Sequence, residues 1–173
     1  MHRPAPGEYT PYFEKYIALV PGTDLLAALE AQIVEIEQLA GTVTAERETY
    51  CYANGKWSVR EVLGHIIDGE RVFGYRVFCI SRGETAALPL FEDNAYVAQS
   101  SYRRRRLAEL AEEFIAVRRS NLLLLGTFSG EDWTRQGTVG TYRVSSRALA
   151  FIMAGHAQHH LKGLQEHYGV CMA

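Results

Sequence analysis

The stretch from Ser145 to Tyr168 constrains the fold more than any other. Leu149, Met153, His156, His160, Leu164 and His167 recur at spacings of 4-3-4-4-3. That rhythm is the inward seam of a bundle helix. Yet His156 and His160 stand where the pattern asks for leucine-like residues. A helix turns once in ~3.6 residues, so these two imidazoles point the same way. Burying them among apolar side chains costs on the order of a few kcal/mol unless their nitrogens find partners. One divalent metal satisfies a nitrogen of each ring at once. Gly169 follows Tyr168 as a C-terminal stop.

Three more helices are legible. Thr23 is placed to cap the first, where Leu25, Leu29, Ile33, Ile36 and Leu39 follow at helical spacing up to Gly41. Ser58-Val59-Arg60-Glu61 is a capping box with Trp57 before it as a staple. The second helix runs to Arg82, with Val59, Leu63, Ile66, Phe73, Val77 and Ile80 on its apolar side. The third reads from about Arg105 to Leu125, before Gly126. Ser129 to Trp133 is a short capped turn, and residues 136–144 allow a small hairpin. Residues 84–100 read as a connection containing Pro89, Glu92 and Asp93. The expectation is an all-α protein: a four-helix bundle over residues 23–173, with short extra turns in its connections. An N-terminal arm rich in Pro, Tyr and Gly, residues 1–22, precedes it.

The length of 173 residues suits one domain, and 47% hydrophobic residues supply its core. A net charge of −2 calls for neither nucleic acid nor an anionic membrane as partner. The longest strongly apolar stretch, Ala148 to Gly155, is far short of the ~18 residues of a membrane span. No apolar signal segment follows Met1. Cys51, Cys79 and Cys171 are odd in number and lack C-x-x-C spacing, so a disulfide framework is not expected. A cytoplasmic protein is the expectation.

His65, in Gly64-His65-Ile66-Ile67-Asp68, flanks the apolar stripe of the second helix. If that helix packs beside the last one, His65, His156 and His160 form a facial metal site. Its open coordination positions would favour chemistry over a purely structural ion. A lone histidine is more often a satisfied core or surface residue, and H-x-x-x-H alone is a weak signal. The third imidazole on another helix strengthens it. Ala157, Gln158 and His159 lie between the pair, so the glutamate of the zinc-protease H-E-x-x-H is absent. The Glu-x-x-His repeats of di-iron bundles are absent too. One mononuclear site is the economical reading. Neutral imidazoles suit zinc, nickel, iron or copper, and the spacing does not choose among them; the expectation is zinc or nickel, with iron, manganese and copper open.

His159 turns away from the His156–His160 line, and His167 lies two turns below it. Asp68 could orient an imidazole or act as a general base on bound water, or else pair with Arg71. Glu70 reads as solvated. Gly69 could leave room for something bound. The run Arg103-Arg104-Arg105-Arg106 could contact a substrate carboxylate or phosphate; pairing with Glu109, Glu112 or Glu113 is the plainer account.

Several segments together resemble the DinB-like family, including its YfiT-like branch. They are Gly55-Lys56-Trp57-Ser58 through His65, Asp68-Gly69-Glu70-Arg71, Phe91 to Tyr96, Trp133-Thr134-Arg135, and Arg147 through Leu161. The resemblance implies an up-down-down-up four-helix bundle, often a homodimer. It implies a divalent metal held by His65, His156 and His160. It also implies a small-molecule substrate and a low-molecular-weight thiol such as bacillithiol, mycothiol or glutathione, activated for S-transfer. A metal-dependent hydrolase and a non-catalytic, stress-related metal- or ligand-binding bundle are the alternatives.

Overall fold

The computed structural model describes residues 2–170. Cys171 lies outside the described residues; Cys51 and Cys79 are free thiols. In chain order the helices are α1 (Glu14–Ile17), α2 (Leu25–Thr42), α3 (Ala45–Glu48), α4 (Val59–Ser81), α5 (Asp93–Gln99), α6 (Leu107–Leu125), α7 (Gly130–Thr134) and α8 (Ser146–Tyr168). Strands β1 (Gln136–Val139) and β2 (Tyr142–Ser145) form the hairpin before α8. Among the described residues no helix is long and apolar enough to cross a membrane.

Caps set the long helices. Ser58 and Glu61 form the reciprocal box that starts α4. Ser145 Oγ accepts the Ala148 amide, 3.0 Å, at the start of α8, and Gly169 closes that helix at φ +61°. The cap of α2 is Asp24 rather than Thr23: its carboxylate accepts the Ala27 amide, 3.1 Å. A carboxylate there also suits the positive end of the helix dipole. The connection over 84–100 holds a helix that hydrophobic spacing did not reveal, since α5 buries only Val97.

α2, α4, α6 and α8 make the four-helix bundle. Glu61 meets Arg103, Arg71 meets Glu113 and Glu70 meets Asn121, so α6 runs parallel to α4. Gln32 reaches Ala154 and Glu35, further along α2, meets Gln158, further along α8, so α2 runs parallel to α8. α8 is antiparallel to α4, with His65 beside His160 and Phe73 beside His156. The order is up-down-down-up.

The apolar core is in two parts. One gathers Leu25, Leu29, Phe73, Val77, Phe151 and neighbours; the other gathers Ile36, Leu39, Leu63, Ile66, Phe114, Leu161 and neighbours. A buried polar layer separates them. Glu70, expected in solvent, is at its centre, 1% exposed, and pairs with Arg118, which has no exposure. Arg118 donates to both Glu70 oxygens (2.9 and 2.6 Å), to the Leu29 carbonyl (2.8 Å) and to Gln32 Oε1 (2.8 Å). Gln32 in turn donates to the Ala154 carbonyl, 2.8 Å. The four helices are thus keyed in register two residues from His156. No spacing rule separates a solvated glutamate from one that meets an arginine 48 residues away.

Residues 2–22 pack onto α8. Phe13, Ile17 and Val20 enter the core, and the Glu8 carboxylate pairs with Arg147 and accepts from Ser145 Oγ. Gly155 permits the contact: a Cβ there would stand 2.0 Å from the Tyr16 carbonyl oxygen. Tyr16 is thereby set against His156 and His159.

Candidate metal centre

α4 presents His65 and α8 presents His156 and His160 to one point between the helices. The three ring centroids lie 4.6–4.8 Å apart. One nitrogen from each falls within a 4.8 Å circle. His65 and His156 are buried, and His160 is partly buried at the edge. Their packing is aromatic: Trp57 covers His65 at 4.8 Å, Phe73 and Tyr16 meet His156 edge-on at 5.4 and 5.7 Å. Trp57, read as a helix staple, is thus a wall of this site. Gly69 makes room for the His156 ring itself, since a Cβ would fall 2.7 Å from its Cε1.

Two observations bear on whether the cluster suits a metal. His65 Nε2 and His156 Nε2 face each other at 2.9 Å. Two nitrogens ~2.1 Å from one ion and at right angles to each other stand ~3.0 Å apart. The set as a whole is wider than the ~4.2 Å that opposite ligands span, so a turn of an imidazole closes it; His160, the least enclosed, has the room. Second, burial pushes His156 well below the usual imidazole range, and burial next to His65 pushes His160 down to about 2. Burial lowers His65 as well. All three are therefore neutral at pH 7, the form a metal takes. The donor set fits a divalent ion.

The same shifts predict acid sensitivity in the metal-free protein. Unfolded histidines take up protons as pH falls below about 6.5, whereas the buried ones do not. Stability is therefore full above that value and is lost as pH drops beneath it, by about 1–3 kcal/mol per pH unit for His156 and His160 together. Urea titrations between pH 7.5 and 5.0 check this; a flat midpoint across that range would contradict it.

The remaining sequence candidates fall elsewhere. His159 is exposed, its ring 5.0 Å from His160, and His167 packs on Tyr52. Asp68 Oδ1 accepts the Tyr102 hydroxyl at 2.6 Å, a bond that ties α4 to the turn before α6; burial raises its carboxyl. Arg71 pairs with Glu113 instead. Arg103, Arg105 and Arg106 pair with Glu61, Glu113 and Glu109.

A cavity of about 430 Å³ includes His156 in its wall, and another of about 630 Å³ includes His160. Asn94 of α5 borders both. Tyr16 and Arg76 line the first cavity and were missed by sequence reasoning. Tyr16 lies in an aperiodic segment with no signal. Arg76 carried one: it interrupts the apolar run Phe73, Val77, Ile80 on a buried helix face.

A profile of the DinB superfamily matches residues 23–163. The chain belongs to the DinB superfamily. Among solved structures, YfiT from Bacillus subtilis is similar at a TM-score of 0.74 and 16% identity, over 98% of this chain and 95% of that one. It is described as a "probable metal-dependent hydrolase with an unusual four-helix bundle topology". The mycothiol-dependent maleylpyruvate isomerase is similar at a TM-score of 0.68 and 10% identity, over 87% of this chain and 61% of that one. At these identities the likeness is one of fold. No curated protein matches the chain significantly.

Proposed function

We propose that this DinB-superfamily member is a divalent-metal-dependent S-transferase, which joins a low-molecular-weight thiol to a small electrophile. His65, His156 and His160 would hold the ion, zinc or nickel, both of which accept neutral imidazole ligands. When bound, it lowers the pKa of a thiol so that thiolate is available near neutral pH. The observation that carries the reading is a pair of cavities that each have a histidine of the cluster in their wall, one His156 and the other His160. Two cavities suit two organic substrates; a hydrolase needs one and water. A structural neighbour that depends on mycothiol supports the same reading.

The chain's own residues divide the work. Lys15, Lys56 and Lys162 line the larger cavity and attract the carboxylates of a peptide-like thiol. Trp57 and Phe73 keep water from the imidazoles. The thiol proton leaves to solvent, sulfur attacks the electrophilic carbon, and the leaving group departs with its bonding pair. A second copy of the chain as dimer partner and a cytoplasmic setting, where such thiols stay reduced, belong to this proposal.

The test pairs monobromobimane with glutathione, bacillithiol or mycothiol and follows the thioether formed by metal-loaded protein. The expected result is enzyme-dependent adduct with at least one thiol and none without it. Turnover of ester, amide or phosphate substrates with no thiol present would replace this reading with hydrolysis.

A further inference from the structure

Arg76 is 3% exposed and lines the cavity that contains His156. A guanidinium has five donors and stays charged. Among the described residues this one makes a single protein hydrogen bond, from Nη2 to the Pro89 carbonyl at 2.7 Å. Its carbon stands 5.8 Å from the Phe73 ring and 5.7 Å from that of Phe91. No described carboxylate lies within ion-pair distance of it. Arg118, also buried, differs: its donors are taken by Glu70, Leu29 and Gln32. A buried cation without a counter-charge is unfavourable. Burial lowers the Arg76 pKa accordingly. An anion entering the cavity would remove that cost.

The walls say what the rest of the anion looks like. Tyr12, Phe13, Tyr16, Phe73, Phe91 and Tyr142 line the same space. Six rings suit a flat, apolar body. Glu92 and Asp93, exposed on the same cavity, disfavour a second negative charge. We propose that this cavity binds a planar unsaturated or aromatic monocarboxylate, its carboxylate on Arg76 and its body between the rings, with the far end toward His156. That this ligand is the electrophile rests on the S-transfer reading; that it binds does not.

The full chain, with chelator present so that no metal contributes, is titrated calorimetrically with trans-cinnamate and with its neutral isostere trans-cinnamamide. Cinnamate is expected to bind at least ~10-fold more tightly, the order of a charge-assisted hydrogen bond. Arg76→Gln should abolish that preference, and Arg76→Lys should keep part of it. Equal affinities in the unaltered protein, binding of neither compound at millimolar concentration, or a preference that survives in Arg76→Gln would overturn the proposal. The comparison in the unaltered protein decides even where Arg76→Gln does not fold. Because neither thiol nor metal is present, the outcome is independent of the transfer assay.

Discussion

Replacing Glu70 by alanine is expected to destabilise the protein by about 3–5 kcal/mol, the cost of leaving one member of a buried pair uncompensated. Arg118 has no exposure and directs three of its hydrogen bonds at Glu70 and Gln32, so water cannot take the place of the lost carboxylate. Asn121, which donates to Glu70 Oε2 at 3.2 Å, loses a partner too. The double variant Glu70→Leu, Arg118→Met should be much less damaged than Glu70→Ala alone, since removing both charges removes the imbalance. Urea unfolding followed by circular dichroism measures both. A Glu70→Ala cost below about 1 kcal/mol would mean that Arg118 finds another counter-charge or reaches solvent. The layer also holds the site: Gln32 joins Arg118 to the Ala154 carbonyl on the turn before His156. Even a folded Glu70→Ala protein should therefore bind metal less tightly.

The second large effect is expected from His156→Ala. Under the proposed function it removes one of the two buried donors. Metal affinity should fall at least ~100-fold, because even partners outside the ligand set change affinity 10–100-fold. S-transfer should vanish with the metal. Elemental analysis of protein purified without chelator or nickel resin reads the content directly. His159→Ala and His167→Ala should retain the ion, since neither ring belongs to the cluster. A His156→Ala protein that keeps stoichiometric metal would remove the three-histidine assignment.

Local rules reached far in this chain because its signals are local. The Ser58 box, the Ser145 cap and the Gly169 stop are read from residues a few positions apart. The α8 seam is equally local, and it placed His156 and His160 on one line while turning His159 away. Its last position departs: His167 is exposed, and the next residue, Tyr168, is the one buried there. Where an effect is made by distant partners, local pattern had nothing to say. Glu70 and Arg118 look like ordinary helix-surface charges until α4 and α6 lie parallel. Gly69 looked like space for a ligand and is space for His156.

By itself, then, the sequence determined the four long helices, the capping box of α4, the glycine stop of α8 and a histidine pair on a core-facing seam, because periodicity and capping act within a few residues. Only the tertiary structure decided that His65 completes the cluster. It alone set residues 2–22 against α8 through Gly155, and it alone left Arg76 buried without a counter-charge. Those outcomes depend on which helix faces which, a choice made by packing across the whole chain rather than along any one stretch of it.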